Sequence, residues 1–310
     1  SVEHLSVLGL LSGLKRLIVL GDPSQLRPVE AGQPFMDMLG LEGVTVLQLY
    51  TNMRANGEKL SAELTQVRNL QGIIHQVIPM AKSSYTKDHT ELRASPQMAL
   101  SLDMRAQLRK WIQSSVGRGY VWLAHSNAVC EALSNLNLAI LHGFNDIELD
   151  HYTSRLISAY FGSRSEKRAP KVSMEIEGLK VYWTGDRDGD EERVYRGFTG
   201  IVGPGGIVSM EAITREGNMT RVEYALEQIE SRLMPWMVKT VHRSQGQSLK
   251  NVVYLIKAGM GGRHSAELAY TAHSRAKNDC IVVSLCNEKR NPKLTPDPKR
   301  RTSLGKFENE

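Results

Sequence analysis

Short apolar runs alternate with amphipathic stretches along most of the chain. The runs at 120–123, 252–256 and 281–283 are rich in β-branched residues and are typical of buried strands. Apolar positions recur at helical spacing from about 104 to 112 and from about 127 to 141, which predicts helices there. Strands that alternate with helices predict an α/β fold with a parallel sheet.

The same alternation continues toward the N-terminus. The run Leu17–Leu20, stopped by Gly-Asp-Pro, and the run Val44–Leu47 predict two more buried strands. The stretch from Val7 to Leu14 predicts a helix, and apolar spacing from 60 to 70 predicts another. The polar, weakly patterned stretch 81–97 predicts a loop.

The pattern changes near residue 170. From about 171 to 229 the chain is rich in glycine and in short alternating runs, among them 179–183, 197–202 and 206–208. Short strands with glycine turns predict a small β-barrel inserted into the α/β part. After residue 287 the chain is basic and contains several prolines, a composition that predicts a disordered tail.

The composition is that of an ordinary globular protein. Of 310 residues, 41% are hydrophobic and 23% are charged, which excludes global disorder. No apolar run approaches the roughly 18 residues that span a bilayer, and no signal-peptide pattern opens the chain, so no membrane contact is expected. The three cysteines are too few for a disulfide framework, which favours an intracellular, reducing compartment. The net charge of +6 permits a polyanionic partner without requiring one.

Two polar segments that follow predicted strands carry candidate chemistry. Gly21–Val29 contains Gln25, whose amide could hydrogen-bond a phosphate oxygen or an attacking water without adding charge. Ligands of open α/β sheets bind at the carboxyl ends of strands, where this segment lies. Its Gly, Asp, Pro and Ser are also common turn formers, so a plain turn stays open. In the second segment, Leu49–Arg54, Arg54 is either a surface charge or a guanidinium that reaches a transferring phosphoryl group.

Two further segments precede predicted strands. Lys239–Ser248 combines small hydroxyls, a histidine, an arginine and Gly246, where the backbone could approach a phosphate closely. A single histidine in such a loop is more often packed or solvated than a ligand, and it makes no metal motif. Ala269–Lys277 offers Arg275 as a second charge-stabilising arginine, and the alternative is an exposed basic helix turn.

The order and spacing of these four segments resemble motifs III, IV, V and VI of superfamily 1 helicases. The matching runs are, in that order, GDPSQLRPV, LQLYTNMR, TVHRSQGQSL and AYTAHSRAK. The wording of NMR and HRSQG is closest to the RecD/Dda/TraI/Pif branch, to which WLAHSNAVCEAL is also similar. The run from Gly178 to Val202 resembles the SH3-like insert of that branch, although Arg196 stands where an asparagine is usual. The resemblance covers nearly everything from Leu17 to Val283.

Two motifs of that family are missing from the chain. No Gly-x-x-x-x-Gly-Lys-Ser/Thr loop occurs; in the nearest fragment, Gly9–Lys15, the spacing is wrong and Arg16 stands where a hydroxyl is needed. No Asp-Glu pair ends an apolar strand, since Asp190 and Glu191 lie in a polar turn. We therefore expect the C-terminal part of a longer helicase whose N-terminal RecA-like half is missing, and we expect this chain alone to be inactive.

The resemblance implies ATP and Mg²⁺ as cofactors and assigns roles by motif. Gln25 would sense the γ-phosphate, and Arg54 and Arg275 would act as arginine fingers on the developing charge. Gln245 and Gly246 would also lie near the nucleotide, whereas most Mg²⁺ ligands would come from the missing half. The residues implied in contacts with single-stranded nucleic acid are Pro28, Val29, His125, Asn127, Thr240, His242 and Ser244.

The resemblance also implies a domain organisation. Residues 1–46 would be the tail of the first RecA-like domain, and 47–168 with 232–287 would form the second. An SH3-like barrel at 169–231 would split the second domain, and 288–310 would be the basic tail. Within the barrel, the aromatic residues Tyr182 and Trp183 are expected to fill the core rather than bind a ligand.

The implied function is part of an ATP-dependent DNA helicase that moves 5′→3′ on single-stranded DNA. Two alternatives stay open from the sequence. One is a viral-type superfamily 1 RNA helicase, because 2′-OH contacts cannot be seen in a sequence. The other is a nucleic-acid-binding or scaffold module without ATPase activity, which the presence of Gln25, Arg54 and Arg275 disfavours.

Overall fold

The computed structural model describes residues 13, 15–26, 34–49, 53–69, 76–77, 102–161, 170–186, 188–189, 191–256, 263–285 and 293–295. Its helices are α1 (Pro34–Leu39), α2 (Glu58–Arg68), α3 (Leu102–Gly117), α4 (Asn127–Leu141), α5 (Asp146–Phe161), α6 (Leu226–Ile229) and α7 (Ala266–His273). Its strands are β1 (Gln76–Val77), β2 (Tyr120–Ala124), β3 (Lys180–Trp183), β4 (Glu192–Arg193), β5 (Thr199–Val202), β6 (Ile207–Thr214), β7 (Met219–Ala225), β8 (Leu233–Pro235), β9 (Val238–Thr240), β10 (Leu249–Leu255), β11 (Arg263–Ser265), β12 (Ala276–Ser284) and β13 (Lys293–Thr295).

A parallel sheet with strand order β1–β12–β10–β2–β9 forms the centre of the α/β part. The central strand β10 pairs in parallel with β12 on one side and with β2 on the other. The register places Val253 beside Ile281 and Trp122. The predicted α/β class and its parallel sheet are confirmed by these pairings.

Alternate residues of the central strands face two separate cores. Trp122 and Val253 pack with α3, α4 and α5 on one face. Val121 and Val252 pack with α2 and α7 on the other. A parallel sheet covered by helices on both faces needs apolar residues at successive positions, which explains why these strands read as continuous apolar runs.

Helix prediction succeeded where an apolar stripe was long and regular. Helix α4 has the predicted bounds, and its N-cap is Ser126, whose side chain accepts a hydrogen bond from the backbone N–H of Val129. Helix α3 extends the prediction at both ends. Helix α5 was not predicted, although its buried residues Tyr152, Leu156 and Tyr160 lie four apart on one face.

The region between 180 and 235 forms a second, antiparallel sheet. Its strand order is β4–β6–β5–β3–β8, and β7 pairs with β6. Trp183 on β3 is fully buried within the hydrophobic core, as predicted. Tyr182 is also buried, but its ring lies against Lys239 and Trp236 rather than in the core. The short strands are therefore confirmed, whereas the SH3-like character of this insert and the domain boundaries stay predictions.

One continuous segment, 233–240, joins the two sheets. Strand β8 pairs antiparallel with β3, with Pro235 opposite Val181. Shortly after, β9 pairs in parallel with β2, with Lys239 beside Leu123. Between the two strands, the carbonyl of Met237 accepts a 2.8 Å hydrogen bond from the backbone N–H of Trp122. The insert is thus directly connected to the edge strand of the parallel sheet.

The two strands predicted near the N-terminus are wrong. Residues 17–20 and 44–47 form neither helix nor strand, and Ile18 and Leu47 expose 76% and 86% of their surface. A strand is held by backbone hydrogen bonds to a neighbouring strand and buried by a covering layer. Within the described part of the chain, neither segment pairs with a neighbouring strand.

The predicted disordered tail is wrong at three residues. Strand β13 pairs in parallel with β11, and these backbone bonds order residues 293–295. The predicted helix at Val7–Leu14, apart from Gly13, and the predicted loop at 81–97 lie outside the described residues.

Candidate functional site

The side chains of Gln25 and Arg275 meet, although 250 positions separate them in the sequence. The Nη2 of Arg275 donates to the Oε1 of Gln25 at 3.2 Å. Gln25 lies in a turn and is half-buried, whereas Arg275, between α7 and β12, exposes 1% of its surface. The alternative of an exposed basic turn at Arg275 is therefore wrong. The first and fourth motif-like segments form one polar site.

The buried guanidinium of Arg275 is held by a set of oxygen acceptors. Its Nε donates to the carbonyl of Thr271 at 3.2 Å, and its Nη2 also donates to Ser274 Oγ at 2.8 Å. A longer contact of 3.5 Å joins its Nη1 to the carbonyl of Gln247. Burial, with the nearby charge of Arg54, lowers the pKa of Arg275 to about 10. The guanidinium therefore keeps its charge at neutral pH in a fixed orientation.

The backbone of Leu26 connects the first motif-like segment to the third and the fourth. Its N–H donates to Thr271 Oγ1 at 2.8 Å. Its carbonyl accepts from the Nε2 of Gln245 at 3.1 Å. Gln245 is itself exposed, so its side chain reaches across the surface of the site. Residues from three sequence-distant segments are thus cross-linked at one backbone position.

Asp22 orients the amide of Gln25. Its Oδ2 accepts from Gln25 Nε2 at 3.3 Å and from the hydroxyl of Tyr270 at 3.0 Å, while Oδ1 accepts from the N–H of Ser24. Since the carboxylate takes the amide nitrogen, the amide oxygen of Gln25 is directed to Arg275. Burial and the Asp22 charge raise the pKa of Tyr270 to about 12, so the phenol stays a donor.

Arg54 docks on the turn that carries Arg275. Its Nη1 donates to the carbonyl of Ser274 at 2.8 Å, and the neighbouring N–H of Asn56 donates to the carbonyl of Lys277 at 2.6 Å. Arg54 is half-buried rather than a freely solvated surface charge. Two guanidinium groups held on one turn create a positive potential that favours an anion such as a phosphate.

The third motif-like segment folds as a 3₁₀ turn followed by a glycine. Thr240 Oγ1 accepts from the N–H of Arg243 at 3.2 Å, and the Ser244 hydroxyl donates to the carbonyl of Val241 at 2.7 Å. Ser244 is fully buried and Thr240 nearly so, and their contacts with a nucleic-acid strand stay predictions. Gly246 has a φ of 78°, a conformation that favours glycine.

The remaining predicted nucleic-acid contacts lie at the opposite edge of the sheet or outside the described residues. His125 and Asn127 follow the carboxyl end of β2; His125 is half-buried and Asn127 exposed. The exposed His242 follows the neighbouring strand β9, which also ends at that edge. Pro28 and Val29 lie outside the described residues.

Lys239 is a residue of the site region that sequence reasoning missed. It exposes 1% of its surface, and its Nζ lies 3.2 Å from the ring centre of Trp236 and 4.3 Å from that of Tyr182. The same amine donates to Gln247 Oε1 at 3.1 Å. Burial and the charge of Lys180 lower the pKa of Lys239 to about 7. The signal in the sequence is a lysine that directly follows the apolar run Leu233–Val238.

Neither a metal cluster nor a membrane-crossing helix occurs in the described part of the chain. No group of three or more His, Cys, Asp or Glu side chains among those residues could hold a metal ion. None of the described helices is both long and apolar enough to cross a bilayer.

Comparison with curated proteins gives a relative of the class that the motifs predict. The chain is 25% identical over 274 residues to the RecD subunit of the RecBCD enzyme of Mycolicibacterium smegmatis, which covers 86% of this chain and 45% of the relative. The chain thus spans a little under half the length of the curated relative it matches. The predicted resemblance to the RecD-like branch of superfamily 1 helicases is confirmed by this match. No protein-family model matches the chain.

Among solved structures, the chain aligns with Pif1 helicases. The Pif1 helicase from Bacteroides, in complex with ADP-AlF3 and ssDNA, is 15% identical with a TM-score of 0.39, covering 93% of this chain and 65% of that one. The Pif1 helicase from Candida albicans is 13% identical with a TM-score of 0.39, covering 84% of this chain and 59% of that one.

Proposed function

We propose that this chain forms the part of an ATP-dependent DNA helicase that bears the second half of the ATP site. In this proposal, ATP hydrolysis drives 5′→3′ movement on single-stranded DNA. The upstream half of the motor would supply the phosphate-binding loop and the acidic pair that this sequence lacks. RecD, the curated relative, is named as a subunit of the RecBCD enzyme, which supports a helicase-family role.

The contact between Gln25 and Arg275 carries the proposal. A buried arginine that donates to a glutamine amide 250 positions away needs a fold that brings both groups together. Neither group is required to fill a core, because both are polar and costly to desolvate. An uncharged amide beside a fixed guanidinium is suited to detecting a γ-phosphate and stabilising its developing charge.

The residues present fit the phosphate end of a nucleotide better than they fit a metal ion. Arg275 and Arg54 supply charge, Gln25 supplies a neutral hydrogen-bonding group, and Gln245 reaches the same turn through Leu26. The described residues provide no metal-binding cluster, so most Mg²⁺ ligands would come from the upstream half. When bound, ATP with Mg²⁺ would supply the transferable phosphoryl group.

In the proposed mechanism, Arg54 and Arg275 hold positive charge against the transferring phosphoryl group, and Gln25 orients the attacking water or senses the phosphate. Arginine fingers accelerate phosphoryl transfer by roughly 10³–10⁵. His125, Asn127 and His242 would contact the sugar-phosphate backbone of the single-stranded DNA, which would lie along the opposite edge of the sheet. The insert would guide the strand, in keeping with its proposed SH3-like character.

The first test is DNA-stimulated ATP hydrolysis by this chain, measured beside the same chain extended upstream through a phosphate-binding loop. Activity only in the extended protein would support half an active site in this chain. Activity in the short chain would contradict the proposal that the phosphate-binding loop comes from the upstream half. Inactivity of both would favour the scaffold alternative.

The second test is Arg275→Ala in the extended protein. ATP turnover is expected to fall by roughly 10³-fold or more, while single-stranded DNA binding is unchanged. The matched control is Arg118→Ala, which removes an exposed arginine whose guanidinium lies over the ring of Tyr120. Retained ATP turnover in Arg275→Ala would show that Arg275 is not an arginine finger. Measuring the binding of single-stranded RNA of the same sequence beside that of the DNA shows which of the two nucleic acids the extended protein prefers.

A further inference from the structure

A buried lysine lies where the insert, the parallel sheet and the arginine site meet. Lys239 is on β9, the edge strand that follows β8 of the antiparallel sheet after two residues. Its amine lies against the ring of Trp236, in the segment between the two strands, and against that of Tyr182 on β3. The lysine therefore contacts the insert on one side while its own backbone belongs to the parallel sheet.

The same amine reaches toward the arginine site. Lys239 Nζ donates to the side-chain Oε1 of Gln247 at 3.1 Å. The backbone carbonyl of Gln247 is the 3.5 Å partner of Arg275 Nη1, and its N–H donates to the carbonyl of Ser244 at 3.0 Å. Arg275 also accepts, through its own carbonyl, a 2.8 Å bond from the N–H of Leu249. Gln247 is thus held by Lys239 from one side and contacts the guanidinium from the other.

Packing alone gives no reason for an amine at this position. A fully buried lysine loses hydration, and the positive charge of Lys180 repels it. An apolar side chain of similar length would fill the space between the rings without that loss. What the amine adds is an attractive contact with the ring faces and one directed hydrogen bond to Gln247.

We propose that Lys239 is a positioning residue that fixes Gln247 against the insert and thereby sets the orientation of Arg275. A shift of the insert on a nucleic-acid strand would reach the arginine through Tyr182 or Trp236, Lys239 and Gln247. This inference rests on the proposed function, since it concerns the arginine that would act on ATP. The coupling would run through the contacts of the Lys239 amine with the two aromatic rings and through the hydrogen bonds of Gln247 with Lys239 and Arg275.

The test is steady-state ATP turnover of the extended protein with saturating single-stranded DNA. Lys239→Met keeps an unbranched side chain that is one heavy atom shorter and removes the hydrogen bond to Gln247. Because misorientation of a charge-stabilising group acts on the chemical step, kcat is expected to fall by roughly 10–100-fold while KM for ATP stays within about twofold. Lys239→Arg, which can still donate and stack on Trp236, is expected to recover most of the loss.

Lys180→Met is the matched control. Lys180 also lies over the ring of Trp236, with its Nζ 4.3 Å from the ring centre, but it is exposed. The hydrogen bond to Gln247 Oε1 comes from Lys239. Its replacement is expected to leave kcat within about twofold. An equal loss of kcat in Lys180→Met and Lys239→Met would overturn the proposal, because it would indicate a general effect of the aromatic stack.

A double-mutant cycle with Gln247→Leu tests the bond itself. If Lys239 acts through Gln247, the double variant Lys239→Met/Gln247→Leu should be no slower than the slower single variant. Independent, multiplicative losses would overturn the proposal, as would an unchanged kcat in Lys239→Met. Absence of DNA-stimulated turnover in the unmodified extended protein would instead refute the proposed function, so the two failures are distinguishable.

Discussion

Replacing Lys239 by methionine is expected to change how the stability of the chain depends on pH. Burial lowers the pKa of Lys239 to about 7 from an ordinary value of 10.5. Between these two values the unfolded chain carries the proton and the folded chain does not. The free energy of unfolding therefore rises with pH in this window, and the penalty for burying the charge is fully present below about pH 7.

The size of the effect follows from the proton linkage. Each pH unit between the two pKa values contributes about 1.4 kcal/mol to the free energy of unfolding. From pH 7 to pH 9 the Lys239 contribution is thus about 2–3 kcal/mol. Lys239→Met has no proton to bind at this position and loses this slope. Relative to the natural protein, the methionine variant should have its highest free energy of unfolding at acidic pH, and this advantage should shrink as the pH rises.

Urea unfolding followed by far-ultraviolet circular dichroism at pH 6, 7, 8 and 9 measures this difference. Other titrating groups contribute equally to both proteins, so the difference between their unfolding free energies isolates Lys239. The faces of Trp236 and Tyr182 stabilise the ammonium form and act against the desolvation. If the difference stays constant within about 0.5 kcal/mol from pH 7 to pH 9, those rings outweigh burial and the pKa of Lys239 is not lowered in the folded protein.

Three other outcomes are expected. Tyr270→Phe removes the 3.0 Å hydrogen bond to Asp22 and should lower the free energy of unfolding in urea by about 1–2 kcal/mol. No change would mean that water in the unfolded chain binds the hydroxyl as well as Asp22 does in the folded chain. Gly246→Ala forces a side chain onto a φ of 78° and should cost about 1–2 kcal/mol in the same assay, whereas Gly117→Ala, at an ordinary φ, should cost nothing. The logarithm of the affinity for single-stranded DNA, measured by fluorescence anisotropy, should fall linearly with the logarithm of the salt concentration. An affinity that does not change with salt would contradict binding to the DNA phosphates.

The sequence predicted the central α/β part because its signals are local. A run such as 252–256 is apolar at every position, as a strand covered on both faces must be, and α4 combines an apolar stripe with the N-cap Ser126. The strands expected at 17–20 and 44–47 failed because burial depends on what covers a segment, which its own residues do not encode. Helix α5 is hard to predict because four of its six buried residues carry hydroxyl groups (Tyr152, Thr153, Ser158 and Tyr160), which leaves only a weak apolar stripe.

The members of the candidate site were predictable from motif order, but their contacts were not. The sequence predicts Gln25 and Arg275 from two separate segments, and only the fold shows that they share a hydrogen bond. The rule that ligands bind at the carboxyl ends of strands did not locate the site, since Arg275 and Gln247 come just before β12 and β10 begin. Asp22 and Tyr270 were overlooked because a carboxylate in a turn and a tyrosine in a helix each have ordinary structural explanations.

The electrostatics of the arginine site explain why it is suited to an anion and not merely tolerant of one. Arg275 donates to carbonyl, hydroxyl and amide oxygens, all of them neutral, and the carboxylate of Asp22 is engaged by Gln25 and Tyr270 rather than by the guanidinium. Among the described residues no carboxylate hydrogen-bonds to Arg275, and the charge of Asp22 acts on the guanidinium only from a distance. A neighbouring Arg54 adds to the positive potential and lowers the pKa of Arg275. A phosphate entering between the two arginines would relieve that repulsion, so binding and charge stabilisation would draw on the same geometry.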